Sequence, residues 1–165
     1  MGKINSPELI NKTHQVDQFE SGEITLDHWL KKRALKNQEN GASTTFVIHQ
    51  QKEVIGYYAL ATGSVIAKHV PSKLKRNMPD PIPVIVLGRL AVRADYQHQG
   101  LGRSLLKDAV LRALRISQEV GVKAMLVHAL SEQAKHFYKR FGFVESPLDP
   151  MLLMLSLKRQ RDNVK

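Results

Sequence analysis

The stretch that decides the fold begins Val84-Ile85-Val86-Leu87-Gly88-Arg89-Leu90-Ala91-Val92 and passes through Arg93-Ala94-Asp95-Tyr96. It ends Gln97-His98-Gln99-Gly100-Leu101-Gly102-Arg103-Ser104-Leu105-Leu106. The first nine residues are a near-continuous apolar run, the pattern of a strand buried on both faces. Gly88 inside it predicts a bulge or a close backbone approach. The spacing predicts a helix from about Leu101 to Val120. Leu105, Leu106, Ala109, Val110, Ala113 and Leu114 lie on its core face, and Arg103, Lys107, Arg112 and Arg115 on the other. Gly121 is the expected cap. Val122 to Leu130 reads as a second buried strand, so the two strands and the helix form a parallel crossover unit of right-handed sense. A glycine loop that opens a helix after a strand is an anion site: its N–H groups converge, and the helix dipole adds partial positive charge.

Upstream, residues 1–24 predict loop and a short edge strand. A helix starts at Ile24, with Thr25 as N-cap and Asp27 complementing the dipole. Leu26, Trp29, Leu30 and Ala34 form its apolar stripe, and Asn40-Gly41 ends it. Thr44–His49 and Val54–Ser64 form an antiparallel hairpin, in which Gly56 and Gly63 mark bends. Pro71, Pro79, Pro81 and Pro83 stiffen a long loop that holds one helical turn at Ser72–Arg76. Downstream, Ser131 caps a short helix that ends at Phe141-Gly142, and Met151–Leu157 is a last strand.

Composition bounds the function. The 165 residues are 42% hydrophobic, enough for one domain with a sizeable core. There is no cysteine, which excludes disulfides, thiolate metal sites and a cysteine nucleophile. No stretch reaches the roughly 20 apolar residues that span a bilayer, so no membrane role and a cytoplasmic location are expected. The net charge of +10 favours a polyanionic partner. It is clustered at Lys31, Lys32, Arg33 and Lys36, at Lys68, Lys73, Lys75 and Arg76, and in the tail Lys158-Arg159-Gln160-Arg161.

Gln97-x-x-Gly100-x-Gly102 after a buried strand, followed about forty residues on by Phe137-Tyr138 and Gly142-Phe143, resembles the GNAT N-acetyltransferase superfamily over most of the chain. The glycine pair lacks the third glycine of a dinucleotide fingerprint. The run Asn77-Met78-Pro79-Asp80-Pro81-Ile82-Pro83 before Leu87-Gly88-Arg89-Leu90, together with Leu26, Trp29 and Leu30, is similar to one branch. That branch is the tRNA-acetylating toxins of type II toxin–antitoxin pairs. Its members often carry a cysteine where Glu20-Ser21-Gly22 stands here.

The resemblance implies an α/β (α+β) fold, with a central mixed, mostly antiparallel sheet, a splayed parallel strand pair and flanking helices, as one domain over 1–165. It implies an enzyme that moves acetyl from acetyl-CoA to the α-amino group of aminoacyl-tRNA and so blocks translation. A ribbon-helix-helix antitoxin would neutralise it, in a complex that binds operator DNA, and the toxin would be a homodimer. The alternative acceptors are a protein N-terminus, a lysine or a small amine. A non-catalytic module bound to RNA or antitoxin is the reading from another class.

The resemblance also places the pantetheine arm along the main chain of Leu90, Ala91 and Val92. The pyrophosphate falls on the run Gln97, His98, Gln99, Gly100, Leu101, Gly102, Arg103 and Ser104, with Ser131 and Phe137 as further cofactor contacts. Arg103 is either a phosphate cation or a solvated helix residue. Tyr138 is the expected general acid: a phenol of pKa about 10 can protonate a departing thiolate whose acid has pKa about 8.5. By position alone it is equally a core tyrosine between Phe137 and Phe141.

No carboxylate dyad or histidine pair offers a strong base, and Glu132 is only a distant candidate through water. An α-amine, of pKa about 7.7–8.0, needs less deprotonation than a lysine. Lys31, Lys36, Lys73, Lys75, Arg76 and Arg89 are the expected tRNA contacts. Arg89, on a buried strand, needs either an internal ion pair or such a partner. His98 is expected to expose its side chain, and His128 to be a satisfied structural histidine. No metal site is expected.

Overall fold

The computed structural model describes residues 3–157. The basic tail segment 158–161 lies outside them. In chain order the elements are β1 (Glu8–Leu9), α1 (Ile24–Trp29), a π-helical segment (Leu30–Ala34), α2 (Leu35–Glu39), β2 (Thr44–Gln50), β3 (Glu53–Val65) and α3 (Ser72–Lys75). There follow β4 (Ile82–Val92), α4 (Leu101–Glu119), β5 (Ala124–His128), α5 (Glu132–Phe141), β6 (Val144–Glu145) and β7 (Leu152–Ser156). The strands hydrogen-bond in the order β1-β2-β3-β4-β5-β7-β6. The pairs β1–β2, β2–β3, β5–β7 and β6–β7 are antiparallel, and β4–β5 is parallel. This is a mixed, mostly antiparallel sheet with one parallel pair, as the resemblance implies.

Contacts group the chain into two units. One holds the residues up to Ala61 together with Leu87–Ala109, and the other holds Thr62–Val86 and the chain from Val110 onward.

The first unit is built on the stripe of α1. Leu30 and Ala34 are buried with Ile10, Phe19, Val47, Val54, Tyr57 and Ala91, and Leu26 and Trp29 pack beside them. Burying side chains of this size stabilises by about 1.5–3 kcal/mol each. The start of α1 departs from expectation. Glu23, not Thr25, is the N-cap, and it makes no side-chain cap. Asp27 also binds Ser21, accepting from its N–H at 3.0 Å and its hydroxyl at 2.6 Å. The π turn was not signalled by the residue pattern; it inserts a residue into the helical phase and leaves Leu30 and Ala34 both facing the core. The β2–β3 turn uses Gln51 (φ 52°) and Lys52 (φ 73°), the two left-handed residues of a tight hairpin. The register slips between Ile48 and His49, beside Gly56. A Cβ on Gly56 would sit 3.0 Å from Ile48 and Leu105, so this bend is also a packing site.

The second unit carries the parallel pair. Its register is Val84↔Ala124, Ile85↔Met125 and Val86↔Leu126. β4 itself continues from Leu87 to Val92. Val65, Val70, Leu74, Ile82, Val84, Ala124 and Met154 form the core. A Cβ on Gly63 would come within 2.8 Å of the Val86 side chain, which explains that glycine by close packing. β5 is shorter than the apolar run suggests, and the short edge strand β6 went unpredicted. Gly121 has no left-handed φ and is not an αL cap.

In the first unit Glu8, His14 and His49 lie with their ligating atoms within 4.8 Å of one another. The Asn11 and Lys52 N–H groups donate to Nδ1 of His14 and His49, at 3.0 and 3.1 Å. Each neutral ring therefore carries its proton on Nε2. His14 Nε2 lies 3.1 Å and His49 Nε2 3.3 Å from the two oxygens of Glu8. The rings thus present N–H rather than lone pairs to the carboxylate, and the cluster ties edge strand β1 to β2.

Burial holds the His14 pKa below its ordinary value, against the pull of Glu8. The unfolded chain then binds a proton that the folded form refuses, so stability is full above about pH 6.5 and falls on acidification. Thermal melts should show Tm decreasing from pH 7 to 5. In His14→Gln that dependence should flatten; an unchanged slope would remove His14 from the account.

Candidate active site

The end of β4, the turn after it and the start of α4 are held by hydrogen bonds that the sequence motif does not reveal. Arg93 N–H donates to Ile55 O at 2.8 Å. Its guanidinium pairs with Asp95 at 2.7 Å and Glu53 at 3.2 Å and lies over the Tyr96 ring. The Asp95 hydrogen bond raises its pKa further, against the cost of burial. Tyr96 donates to Gln50 Oε1 at 2.6 Å. The Gln97 carboxamide donates to Val92 O at 2.8 Å and to Ser21 O at 2.7 Å. The side chain of Gln97 is thus a bolt between the loop, the strand end and the Ser21 turn that Asp27 clamps.

His98 (φ 65°) and Gly100 (φ 83°) are left-handed, and α4 begins at Leu101. The first-turn N–H groups of a helix have no intrahelical acceptor. Two of the expected donors are spoken for: Gln97 N–H bonds Ala94 O at 3.3 Å, and Ser104 N–H bonds Gly100 O at 3.1 Å. The anion-facing set narrows to the main chain from His98 to Arg103. His98, Gln99, Gly100, Arg103 and Ser104 are exposed, and Leu101 and Gly102 are half-buried. Nothing lies within 4 Å of a Cβ built on Gly100, so this glycine answers to backbone conformation, not to space. Gly88 also has nothing within 4 Å, which overturns the expected close approach. Leu90 is half-buried, and Ala91 and Val92 are buried, at the end of β4.

In the second unit α5 starts with Ser131, whose hydroxyl accepts Ala134 N–H at 3.1 Å. The cap uses one lone pair of this hydroxyl and leaves its O–H free to donate. Tyr138 is buried between Phe137 (ring centroids 5.1 Å, edge-on) and Phe143 (5.5 Å). Phe143 is a ring neighbour that the motif spacing did not single out. Burial pushes the Tyr138 phenol above its ordinary pKa. A phenol is protonated at neutral pH even at its ordinary pKa, and burial strengthens that protonated state and makes it a weaker acid. Glu132 is exposed in the first turn. His128 is exposed, contrary to the satisfied structural role expected.

Arg89 forms no ion pair among the described residues. Its guanidinium lies 5.3 Å from the Trp29 ring centre, and Trp29 stacks on Tyr57 at 6.0 Å and 10°. A cation–π contact replaces the expected internal ion pair, because no carboxylate reaches this stretch of β4 while the face of Trp29 does. Tyr57 is locked by its own bond to Leu26 O at 2.6 Å.

Residues 41–145 match the acetyltransferase (GNAT) domain model. The chain belongs to the GNAT acetyltransferase family. It is 46% identical to a tRNA-acetylating toxin of Mycobacterium tuberculosis over 98% of this chain and 97% of that protein. Among solved structures it is similar to AtaT complexed with acetyl-methionyl-tRNAfMet (TM-score 0.89, 26% identity, 99% of this chain and 100% of that one). It is also similar to AtaTR bound with AcCoA (TM-score 0.82, 26% identity, 98% of each chain).

Within this GNAT chain the basic residues singled out above are surface groups. Lys31 and Lys36 are exposed on the π segment and α2, and Lys73, Lys75 and Arg76 on and after α3. The structure does not gather them into one patch inside either unit: the first two belong to the first unit and the other three to the second. Sequence reasoning missed Ser21, Asp27 and Arg93 as supports of the GNAT loop. Their partners lie far along the chain, and no local period marks them.

Gly100→Ala forces an L side chain into a left-handed backbone and should cost about 1–2 kcal/mol of stability. Gly88→Ala, equally unobstructed but without a left-handed φ, should be near neutral. Urea titration of the two variants compares them directly; equal losses would contradict the conformational reading of Gly100.

Proposed function

We propose that this GNAT acetyltransferase transfers the acetyl group of acetyl-CoA to the α-amino group of aminoacyl-tRNA, and so stops translation as the toxin of a toxin–antitoxin pair. The observation that carries the chemistry is Tyr138, a phenol enclosed by Phe137 and Phe143 on α5. What supports the substrate is the similarity, over nearly the whole chain, to a tRNA-acetylating relative, together with the net charge of +10.

The main chain of Leu90, Ala91 and Val92, beyond the parallel register, offers hydrogen-bonding groups to the pantetheine arm. The N–H groups from His98 to Arg103 cradle the pyrophosphate. Phe137 lines the same cofactor. The neutral amine attacks the thioester carbonyl carbon, a C–N bond forms and the C–S bond breaks. Tyr138 gives its proton to the departing thiolate, and the amine proton goes to solvent. An α-ammonium group beside an ester loses its proton easily enough to give the neutral amine without a strong base, which agrees with a site in which none is evident. Arg89, held flat on Trp29, and Lys31, Lys36, Lys73, Lys75 and Arg76 are the RNA-facing cations in this reading. A ribbon-helix-helix antitoxin, homodimer assembly and a cytoplasmic location complete it. No helix among the described residues is long and apolar enough to cross a membrane.

Tyr138→Phe should lower turnover on aminoacyl-tRNA about 10²–10⁴-fold, the range for a lost general acid, with acetyl-CoA affinity kept within about twofold. Full turnover would end the assignment. Glutamate at Lys73, Lys75 and Arg76 together should weaken tRNA binding and shrink its salt dependence. Filter binding between 50 and 200 mM salt, the window in which phosphate contacts show their slope, measures both; an unaltered slope would free α3 from any RNA role.

A further inference from the structure

The exposed face of α5 carries a second feature that the motif reading passed over. Lys135, His136, Lys139 and Arg140 line a surface cavity of roughly 400 Å³. Residues four apart on a helix are neighbours, separated by about 6 Å along its axis. The four side chains therefore form two short rows, Lys135 with Lys139 and His136 with Arg140. That spacing is comparable to the distance between adjacent phosphates on an RNA strand.

The charge in this cavity is not balanced internally. Glu145 of β6 takes Lys139 at 2.6 Å and Lys135 at 3.4 Å on a single oxygen. The Lys139 hydrogen bond holds the Glu145 carboxyl below its ordinary pKa, so it is ionised at neutral pH. Three permanent cations thus face one carboxylate. Among the described residues, Arg140 and His136 have no hydrogen-bond or ion-pair partner. Helix stabilisation accounts for only part of this set. Lys139 and Arg140 sit in the last turn of α5, where the dipole favours cations. Lys135 and His136 sit in its N-terminal half, where the dipole does not.

We propose that this face of α5 is a phosphate cradle for the acceptor end of the charged tRNA. The proposal rests on the aminoacyl-tRNA reading above and adds to it the place where the RNA backbone is held. Tyr138 occupies the opposite, buried face of the same helix. A helix with its side chains is about 10–12 Å across. The cations therefore lie within about that distance of Tyr138, close enough for the last phosphates of a 3′ end whose amine is at Tyr138. A concave row of cations at a fixed repeat suits a phosphodiester backbone better than the irregular carboxylates of a folded acidic protein. Arginine adds a planar fork for phosphate oxygens.

The test uses the full chain and the double variant His136→Ala/Arg140→Ala. It removes the two side chains without a carboxylate partner and leaves the Glu145 pairs intact. Binding of charged tRNA is followed by fluorescence across a salt series, and acetyl-CoA affinity by calorimetry. The expected result is about tenfold weaker tRNA binding, with the salt slope reduced by about one for each lost phosphate contact, and unchanged acetyl-CoA affinity. Arg140→Lys, which keeps the charge, should keep most of the slope.

Unchanged tRNA affinity and slope would overturn the cradle. A loss confined to acetyl-CoA would overturn it too, assigning the cations to the coenzyme's own phosphates. If the double variant lost both activities through misfolding, Arg140→Gln, which keeps the aliphatic stem and a planar amide, decides by the same two readouts. Failure of the unaltered protein to bind charged tRNA would instead strike the proposed substrate.

Discussion

Parallel pairing of β4 with β5 is the constraint on which the site depends. Two parallel strands cannot be joined by a hairpin, so the chain must leave β4, cross through a helix and return. That crossover places a helix N-terminus directly after a strand end. The first turn of α4 then has N–H groups without partners, and something outside the helix must satisfy them. Gly100, with its left-handed φ, lets the chain turn tightly enough to aim them. The anion site follows from connectivity before any charged side chain is considered.

An anion loop works only if it is held still. Here the restraint is polar and comes from outside the loop. Gln97 spans the loop, the end of β4 and the Ser21 turn with one carboxamide, and Asp27 grips Ser21 from the first turn of α1. Arg93 ties the same loop to β3 through Glu53 and Ile55. Asp27 remains the acidic residue of the first turn of α1 and adds this grip on Ser21 to its place at the helix start. α1 also carries Trp29, on which Arg89 lies, so one hydrogen-bond network sets both the loop and the ring that supports this cation. Ser21 is the residue through which Asp27 reaches this network. Its hydroxyl donates to Asp27 at 2.6 Å, a stronger bond than a thiol provides.

The chemistry asked of Tyr138 is consistent with where it sits. A phenol enclosed by Phe137 and Phe143 is penalised for ionising, and like any phenol it is protonated across the neutral range. A thiolate leaving group needs such a donor. An α-amine nucleophile needs less help, and of the carboxylates of this region Glu132 is exposed in the first turn of α5. Glu145, the carboxylate of this surface, is engaged by two lysines.

Features that depend on neighbours in the chain were legible from the residues alone. The apolar run of β4, the period of α4, the Ser131 cap, the glycines ending α2 and α5, and the order of the two motifs all follow from local backbone requirements. They led to the fold without coordinates, whereas the role given to Tyr138 came from the resemblance of its motif. Tertiary structure decided what the polar side chains do. Gln97 meets Ser21 across 76 residues of chain, and Arg89 finds Trp29 instead of a carboxylate. Lys139 and Lys135 converge on Glu145 only because the chain after α5 folds back as β6. Periodicity reports which face of an element is buried. It does not report which distant side chain arrives at that face, because that is settled by packing and by the hydrogen bonds that packing permits.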